Sequence, residues 1–294
     1  MTDSVLFDRD FLRKLEQFSI LSKKLRKGAV RGEHRVIRRG MSTEFYDYRN
    51  YNSGDDLRYI DWNIYGRLDK LLIKIFSGEE DQSVHILLDT SLSMNEGKPS
   101  KMDFAKKIAG ALAYIAVHSL DRVGVTSFSD RMGEIYVPER RLSSLHSLFS
   151  YLEAIETDGS TEFNRALREY AGKVKRPGTA VVITDLMDPR GFEEGLLSLI
   201  YRKFDVVVLQ VLSEEELSPR LYGSYKLVDS ESGEKIKISS DKKMMRDYEI
   251  ELDKWFSSIE TFCRQKRIDY IRSGNLVPIE DFLLRYLREG GMIG

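Results

Sequence analysis

Val84-His85-Ile86-Leu87-Leu88 is followed at once by Asp89-Thr90-Ser91-Leu92-Ser93. A short apolar run that breaks into a carboxylate and hydroxyls reads as a buried strand leaving a sheet at a polar edge. The texture recurs downstream. Thr179–Thr184 ends in Asp185, with Asp188 close behind, and Asp205–Leu212 is the most β-branched run in the chain. Helical patterns separate these runs over Lys101–Leu120, Leu142–Ile155, Glu162–Val174 and Phe192–Tyr201. Strands alternating with helices predict an α/β fold. Its form is a doubly wound, mainly parallel, Rossmann-like sheet with helices on both faces.

Further along, Tyr222–Leu227 and Lys235–Ile238 flank Ser232-Gly233, the signal of a β-hairpin inserted near residues 222–238. A long helix over Lys242–Gln265, a strand at Ile268–Ile271 and a helix at Ile279–Leu287 complete the pattern. Upstream, Phe11, Leu12, Leu15, Phe18 and Leu25 recur at helical spacing. Strands are expected at Glu44–Asn50 and Leu71–Phe76. Ser53-Gly54-Asp55-Asp56 has the form of a capping box opening a short helix that runs to Gly66. Glu79, Glu80 and Asp81 read as a polar hinge. The expected division is a basic α+β region over residues 1–80 and a sheet domain over 81–294.

The chain has 294 residues, 41% hydrophobic and 32% charged, with a net charge of −1. That balance excludes a disordered chain, which needs low hydrophobicity and high net charge. Cys263 is the single cysteine. An intrachain disulfide and a Cys-based zinc site are therefore excluded, as suits a reducing cytosol. Asp3, Asp8 and Asp10 are unlike a secretory signal, and the uncharged stretch Ile108–Leu120 is too short to span a bilayer. A cytoplasmic protein without a membrane span is the expectation. Residues 1–40 hold eleven Lys and Arg against five Asp and Glu, so a +6 head precedes a −7 body.

Ligands of an open parallel sheet bind beyond the carboxyl ends of its strands. Asp89, Ser91 and Ser93 alternate in a loop just leaving a strand and can share one side. Asp185 ends a second strand, and Thr161 lies in Asp158-Gly159-Ser160-Thr161 at a helix start. Two carboxylates and three hydroxyls would then meet at one sheet edge. Hard oxygens of this kind suit Mg²⁺, Mn²⁺ or Ca²⁺ rather than zinc. The bland reading of Asp89-x-Ser91-x-Ser93 is a turn with helix-capping hydroxyls.

Asp-x-Ser-x-Ser after a buried strand resembles the first motif of the metal-ion-dependent adhesion site (MIDAS) of von Willebrand factor A (vWA) domains. Thr161 and Asp185 resemble its later threonine and aspartate. The resemblance implies that Ser91 and Ser93 ligate a divalent cation, Mg²⁺ foremost. Thr161 would do so directly or through water, and Asp89 and Asp185 would hold coordinated waters. One position would stay open for a partner's Glu or Asp carboxylate. Leu186 departs from the pattern, since many relatives have Gly there. Two further stretches, Arg39-Gly40-Met41-Ser42-Thr43-Glu44-Phe45 and Tyr51-Asn52-Ser53-Gly54-Asp55-Asp56-Leu57-Arg58-Tyr59-Ile60-Asp61-Trp62, are similar to the bacterial domain-of-unknown-function family 58 (DUF-58). Lys74-Ile75-Phe76 and the Ser230–Glu234 turn resemble it too. Members are often associated with MoxR-type AAA+ ATPases. The resemblance implies an adaptor or chaperone-like partner rather than a catalyst.

Other readings are weighed beside this one. A metal-dependent phosphoryl-transfer enzyme would use Asp89 as nucleophile or ligand, but Ser91 stands where such enzymes commonly carry a second Asp. The basic stretch Lys23–Arg39 could neutralise nucleic-acid phosphates, yet it lacks aromatic residues for base stacking. Docking of an acidic partner or plain solvation ranks above that. Gly54-Asp55-Asp56 with Asp61-Trp62 reads as a capped helix start before a second acidic site. His85 and His118 read as structural. Neither a Gly-x-Ser-x-Gly elbow nor a Walker A loop occurs.

Overall fold

Side chains along β3 (Ser83–Asp89) alternate between two hydrophobic cores. Val84, Ile86 and Leu88 join one, and Leu87 joins the other. Strand geometry sends successive side chains to opposite faces, so a strand apolar on both faces needs a layer on each. This computed structural model describes residues 6–8, 10–18, 44–51, 57, 60–77, 83–136, 144–219, 223–228, 233 and 235–289.

β3 is central in a six-stranded sheet. The other strands are β4 (Arg122–Phe128), β5 (Met132–Tyr136), β6 (Thr179–Thr184), β7 (Asp205–Leu212) and β10 (Asp269–Gly274). The order is β10-β7-β6-β3-β4-β5. All neighbours are parallel except β4 and β5. One face carries α3 (Lys101–His118), α4 (Ser144–Ala154) and α9 (Ile279–Glu289), together with Phe7, Phe11 and Leu15. The other carries α5 (Phe163–Lys173), α6 (Glu193–Tyr201) and α8 (Lys242–Lys266). This is the doubly wound, mainly parallel α/β architecture that the alternating pattern predicts. The antiparallel edge strand β5 was not anticipated. Its five residues, Met-Gly-Glu-Ile-Tyr, carry too few β-branched side chains to announce a strand.

The chain divides into two units, residues 1–31 with 82–294, and residues 32–81. The sequence reading instead grouped residues 1–80. Phe7, Phe11 and Leu15 are buried in the larger unit's core, which is why its N-terminal helix, α1 (residues 10–18), belongs there. In the smaller unit, β1 (Glu44–Asn50) pairs antiparallel with β2 (Leu72–Ser77). Between them, α2 (Trp62–Leu68) starts at Asp61, whose Oδ1 accepts hydrogen bonds from Asn63 N and Ile64 N. The sequence reading started this helix near Ser53. Ile60 instead bridges Ile73, so the backbone is still extended one residue before the cap. The Lys23–Arg39 stretch, Gly54-Asp55-Asp56, Glu79–Asp81 and the Ser232 turn lie outside the described residues.

The remaining elements are α7 (Glu214–Leu217) and a hairpin of β8 (Gly223–Val228) and β9 (Lys235–Ser240). Both precede α8. The hairpin's strands therefore occupy the insertion expected near 222–238. Among the described residues no helix is long and apolar enough to cross a membrane.

Candidate functional site

The chain runs from β3 outward to β4 and β5, then returns to place β6 on the other side of β3. The carboxyl ends of β3 and β6 therefore flank the point where strand order reverses, the usual ligand position in such sheets. Leu88 is in register with Ile183, so Asp89 emerges beside Thr184 and Asp185.

Four of the five expected residues meet there in one hydrogen-bonded network. Asp89 is fully buried. Its Oδ1 accepts from Ser91 N at 3.0 Å, and its Oδ2 accepts from the Thr184 hydroxyl at 2.6 Å. The Ser91 and Ser93 hydroxyl oxygens are 3.0 Å apart. Ser93 Oγ donates to Asp185 Oδ2 at 2.8 Å. Asp185 Oδ1 accepts from Met187 N at 3.0 Å, and Gln210 Nε2 donates to the Asp185 carbonyl at 2.8 Å. Both carboxylates are thus fixed by their own loops before any ligand arrives.

Thr161 is buried in the neighbouring loop. That loop is stitched to the first by main-chain bonds, Asp158 N to Thr90 O at 2.8 Å and Leu92 N to Gly159 O at 3.1 Å. Arg190 donates to the Thr161 carbonyl and forms ion pairs with Glu162 and Asp188. Asp188 Oδ2 accepts from Phe163 N at 3.0 Å, at the first turn of α5. Asp188, noted in the sequence as a nearby carboxylate, therefore holds the Thr161 loop. Leu186 sits at φ 60°, in the left-handed region that favours glycine. A glycine would adopt this backbone without strain, and the Leu186 side chain is instead buried in the core beside α5 and α6.

Two charged residues that the sequence reading did not single out complete the site. Lys101, the first residue of α3, is fully buried. Its Nζ lies 2.7 Å from Asp185 Oδ2 and 2.5 Å from Glu216 Oε1. Glu216 is in turn held by Ser213 N through Oε2 at 2.7 Å. Burial alone would lower the Lys101 pKa, but Asp185 and Glu216 outweigh it and hold the ammonium above its ordinary range. Burial, and then the Asp185 charge, push the Asp89 carboxyl well above the usual carboxylate range. Two carboxylates converging in a dry site favour a positive partner.

Among the described residues no group of three or more His, Cys, Asp or Glu side chains is placed to hold a metal. A cation here must therefore draw on hydroxyls. The donor set of Ser91, Ser93, Asp89 and Asp185, with Thr161 on the adjoining loop, consists of hard oxygens and fits a Mg²⁺-like ion. Elsewhere, Cys263 is buried among apolar side chains, and its thiol is pushed up to about 12 by burial, so it packs as a small hydrophobe.

Residues 47–254 match the family model described as "Protein of unknown function DUF58". The chain belongs to the DUF58 family. This DUF58 protein is 24% identical over 231 residues to uncharacterized proteins of Mycobacterium bovis and Mycobacterium tuberculosis. The match covers 75% of this chain and 71% of theirs. Among solved structures it is similar to the conserved hypothetical protein BatB from Bacteroides thetaiotaomicron, with 18% identity and a TM-score of 0.45. That match covers 72% of this chain and 98% of BatB. It is similar also to the SpRpn10 VWA domain, with 10% identity and a TM-score of 0.38, covering 69% of this chain and 94% of that domain.

Proposed function

We propose that this DUF58 protein is a non-enzymatic, cytoplasmic protein-interaction module that binds its partner through a divalent cation. The observation that carries the reading is the chain of hydrogen bonds Asp89–Ser91–Ser93–Asp185, buried except at the half-buried Ser93, at the reversal of strand order. Ser91, Ser93 and Thr161 would hold the ion through neutral hydroxyls, and Asp89 and Asp185 would hold its waters. When bound, the cation supplies a Lewis-acidic open position for a Glu or Asp carboxylate of the partner. Direct ligation through neutral hydroxyls leaves the ion a strong Lewis acid at its open position, which an incoming carboxylate would fill. Thr184 keeps Asp89 oriented, and Met187 N does the same for Asp185. The family resemblance supports a MoxR-type AAA+ ATPase as the partner and an adaptor or chaperone-like role.

The test is capture of a purified MoxR-type ATPase by the immobilised native chain, in Mg²⁺ and in chelator. Asp89→Ala and Ser93→Ala serve as comparison chains. Binding is expected in Mg²⁺ and is lost in chelator and in both variants. Undiminished capture in chelator overturns the cation reading. Asp89-dependent release of phosphate from a generic phosphomonoester would overturn the non-enzymatic one.

A further inference from the structure

We propose that Lys101 is a built-in competitor of the divalent ion, an internal ammonium that shares Asp185 with the cation site and so weakens cation binding. The inference rests on the cation-site reading and names the residue that tunes it.

The geometry points to one oxygen atom. Asp185 Oδ1 is engaged by its own loop through Met187 N. Oδ2 is the oxygen shared by Ser93 Oγ at 2.8 Å and Lys101 Nζ at 2.7 Å. Ser93 belongs to the expected ligand set, so the ammonium sits against that set rather than beside it. The Lys101 side chain has no exposure to solvent. Its charge therefore acts at short range with little screening by water. Glu216 fixes the ammonium from the other side and is itself fixed by Ser213 N and by the Tyr248 hydroxyl, which donates to the Glu216 carbonyl at 2.7 Å. The ammonium is thus built into the wall of the site.

Charge counting gives the direction. With a bound cation holding all three carboxylates ionised, Asp89, Asp185 and Glu216 total −3, and Lys101 brings the cluster to −2. A divalent ion brings it to neutrality. Without Lys101 the same ion meets a cluster of −3 and no neighbouring ammonium. A purely structural ion pair predicts the opposite, because losing Lys101 would then loosen Asp185 and weaken the ion's hold.

Mn²⁺ alone is the probe, with free Mn²⁺ counted by its electron paramagnetic resonance signal. The native chain, Lys101→Met, Lys101→Met/Glu216→Gln and Ser93→Ala are compared, with circular dichroism reporting the fold. The double variant removes the carboxylate stranded by the first change and keeps the test alive if Lys101→Met alone misfolds. Mn²⁺ is expected to bind Lys101→Met about ten-fold or more tightly than the native chain, and the double variant, whose cluster keeps the native −2 but has no ammonium on Asp185 Oδ2, more tightly by a smaller factor. In chelator these variants should melt below the native chain, and Mn²⁺ should raise their melting temperature by more than it raises the native one. Equal or weaker Mn²⁺ binding in both Lys101 variants, with native binding intact and lost in Ser93→Ala, overturns the competitor role alone. No Mn²⁺ binding by any chain overturns the cation-site reading and this inference with it.

Discussion

Lys101 Nζ lies 2.7 Å from Asp185 Oδ2, and neither side chain has any exposure to water. The pair joins the start of α3 to the end of β6 across 84 residues of sequence. Its energetic meaning is asymmetric. Forming a buried pair gains little net stability, but removing one member leaves a desolvated charge. Asp185→Asn is therefore expected to cost about 3 kcal/mol, with Glu216 still partly pairing the ammonium. Urea unfolding in chelator checks this. A change under about 1 kcal/mol would show that the pair is solvated in solution.

Thr184 is a test of orientation without charge change. Its hydroxyl donates to Asp89 Oδ2 at 2.6 Å and accepts from Leu186 N at 3.0 Å. Thr184→Val keeps the volume and removes both bonds. A stability loss of about 2 kcal/mol is expected, since a buried carboxylate oxygen and an amide lose their partner. Mn²⁺ affinity is expected to fall about ten-fold as Asp89 loses its anchor. Unchanged Mn²⁺ affinity with lowered stability would separate Thr184 from the cation site.

His85 predicts a pH dependence away from the site. Its Nδ1 is 2.7 Å from the Tyr170 hydroxyl, and its ring meets Tyr170 and Phe204 edge to face. Burial lowers its pKa from 6.5 to about 4. Between those values the unfolded chain binds a proton that the folded chain does not. Stability from this group is full above about 6.5 and is lost as pH falls toward 4. At 1.36 kcal/mol per pKa unit the loss is roughly 3 kcal/mol over the whole window. His85→Gln stays neutral throughout, so its stability should fall less steeply than that of the native chain between those limits. Parallel curves would refute the assignment.

Asp61 offers a local test in the smaller unit. It caps α2 through Asn63 N and Ile64 N, and its Oδ2 accepts from the Tyr48 hydroxyl at 2.9 Å. Asp61→Ala is expected to cost about 1–2 kcal/mol. Amide exchange should quicken in α2 while β3 and β6 keep their protection. Uniform loss of protection would mean that the two units unfold together.

Much of the fold was legible because the central strands are nearly continuous apolar runs. Val84–Leu88, Thr179–Thr184 and Asp205–Leu212 announce a sheet covered on both faces. The meeting of Asp89, Ser91, Ser93 and Asp185 at one sheet edge was legible because each follows such a run. The start of α2 was misplaced because Ile60 bridges Ile73 and interrupts the helix expected from Ser53 to Gly66, so that α2 starts at the Asp61 cap, while residues 53–56 lie outside the described residues. β5 was missed because Met132-Gly133-Glu134-Ile135-Tyr136 is itself the edge strand, paired with β4 alone, and carries little pattern of its own.

The sequence by itself determined which groups leave the strand ends: Asp89 closing β3 with Ser91 and Ser93 just beyond it, and Asp185 after β6. Strand termination is a local property, written in where apolar residues stop. Which partner each group has was decided only by the tertiary structure. Lys101, Glu216 and Asp185 are far apart along the chain, and nothing in their local patterns links them. Sheet order sets Asp89 beside Thr184, and helix packing carries the Lys101 ammonium into a site that a lysine at a helix start would ordinarily leave to water. Exclusion of water then turns that proximity into strong electrostatic coupling.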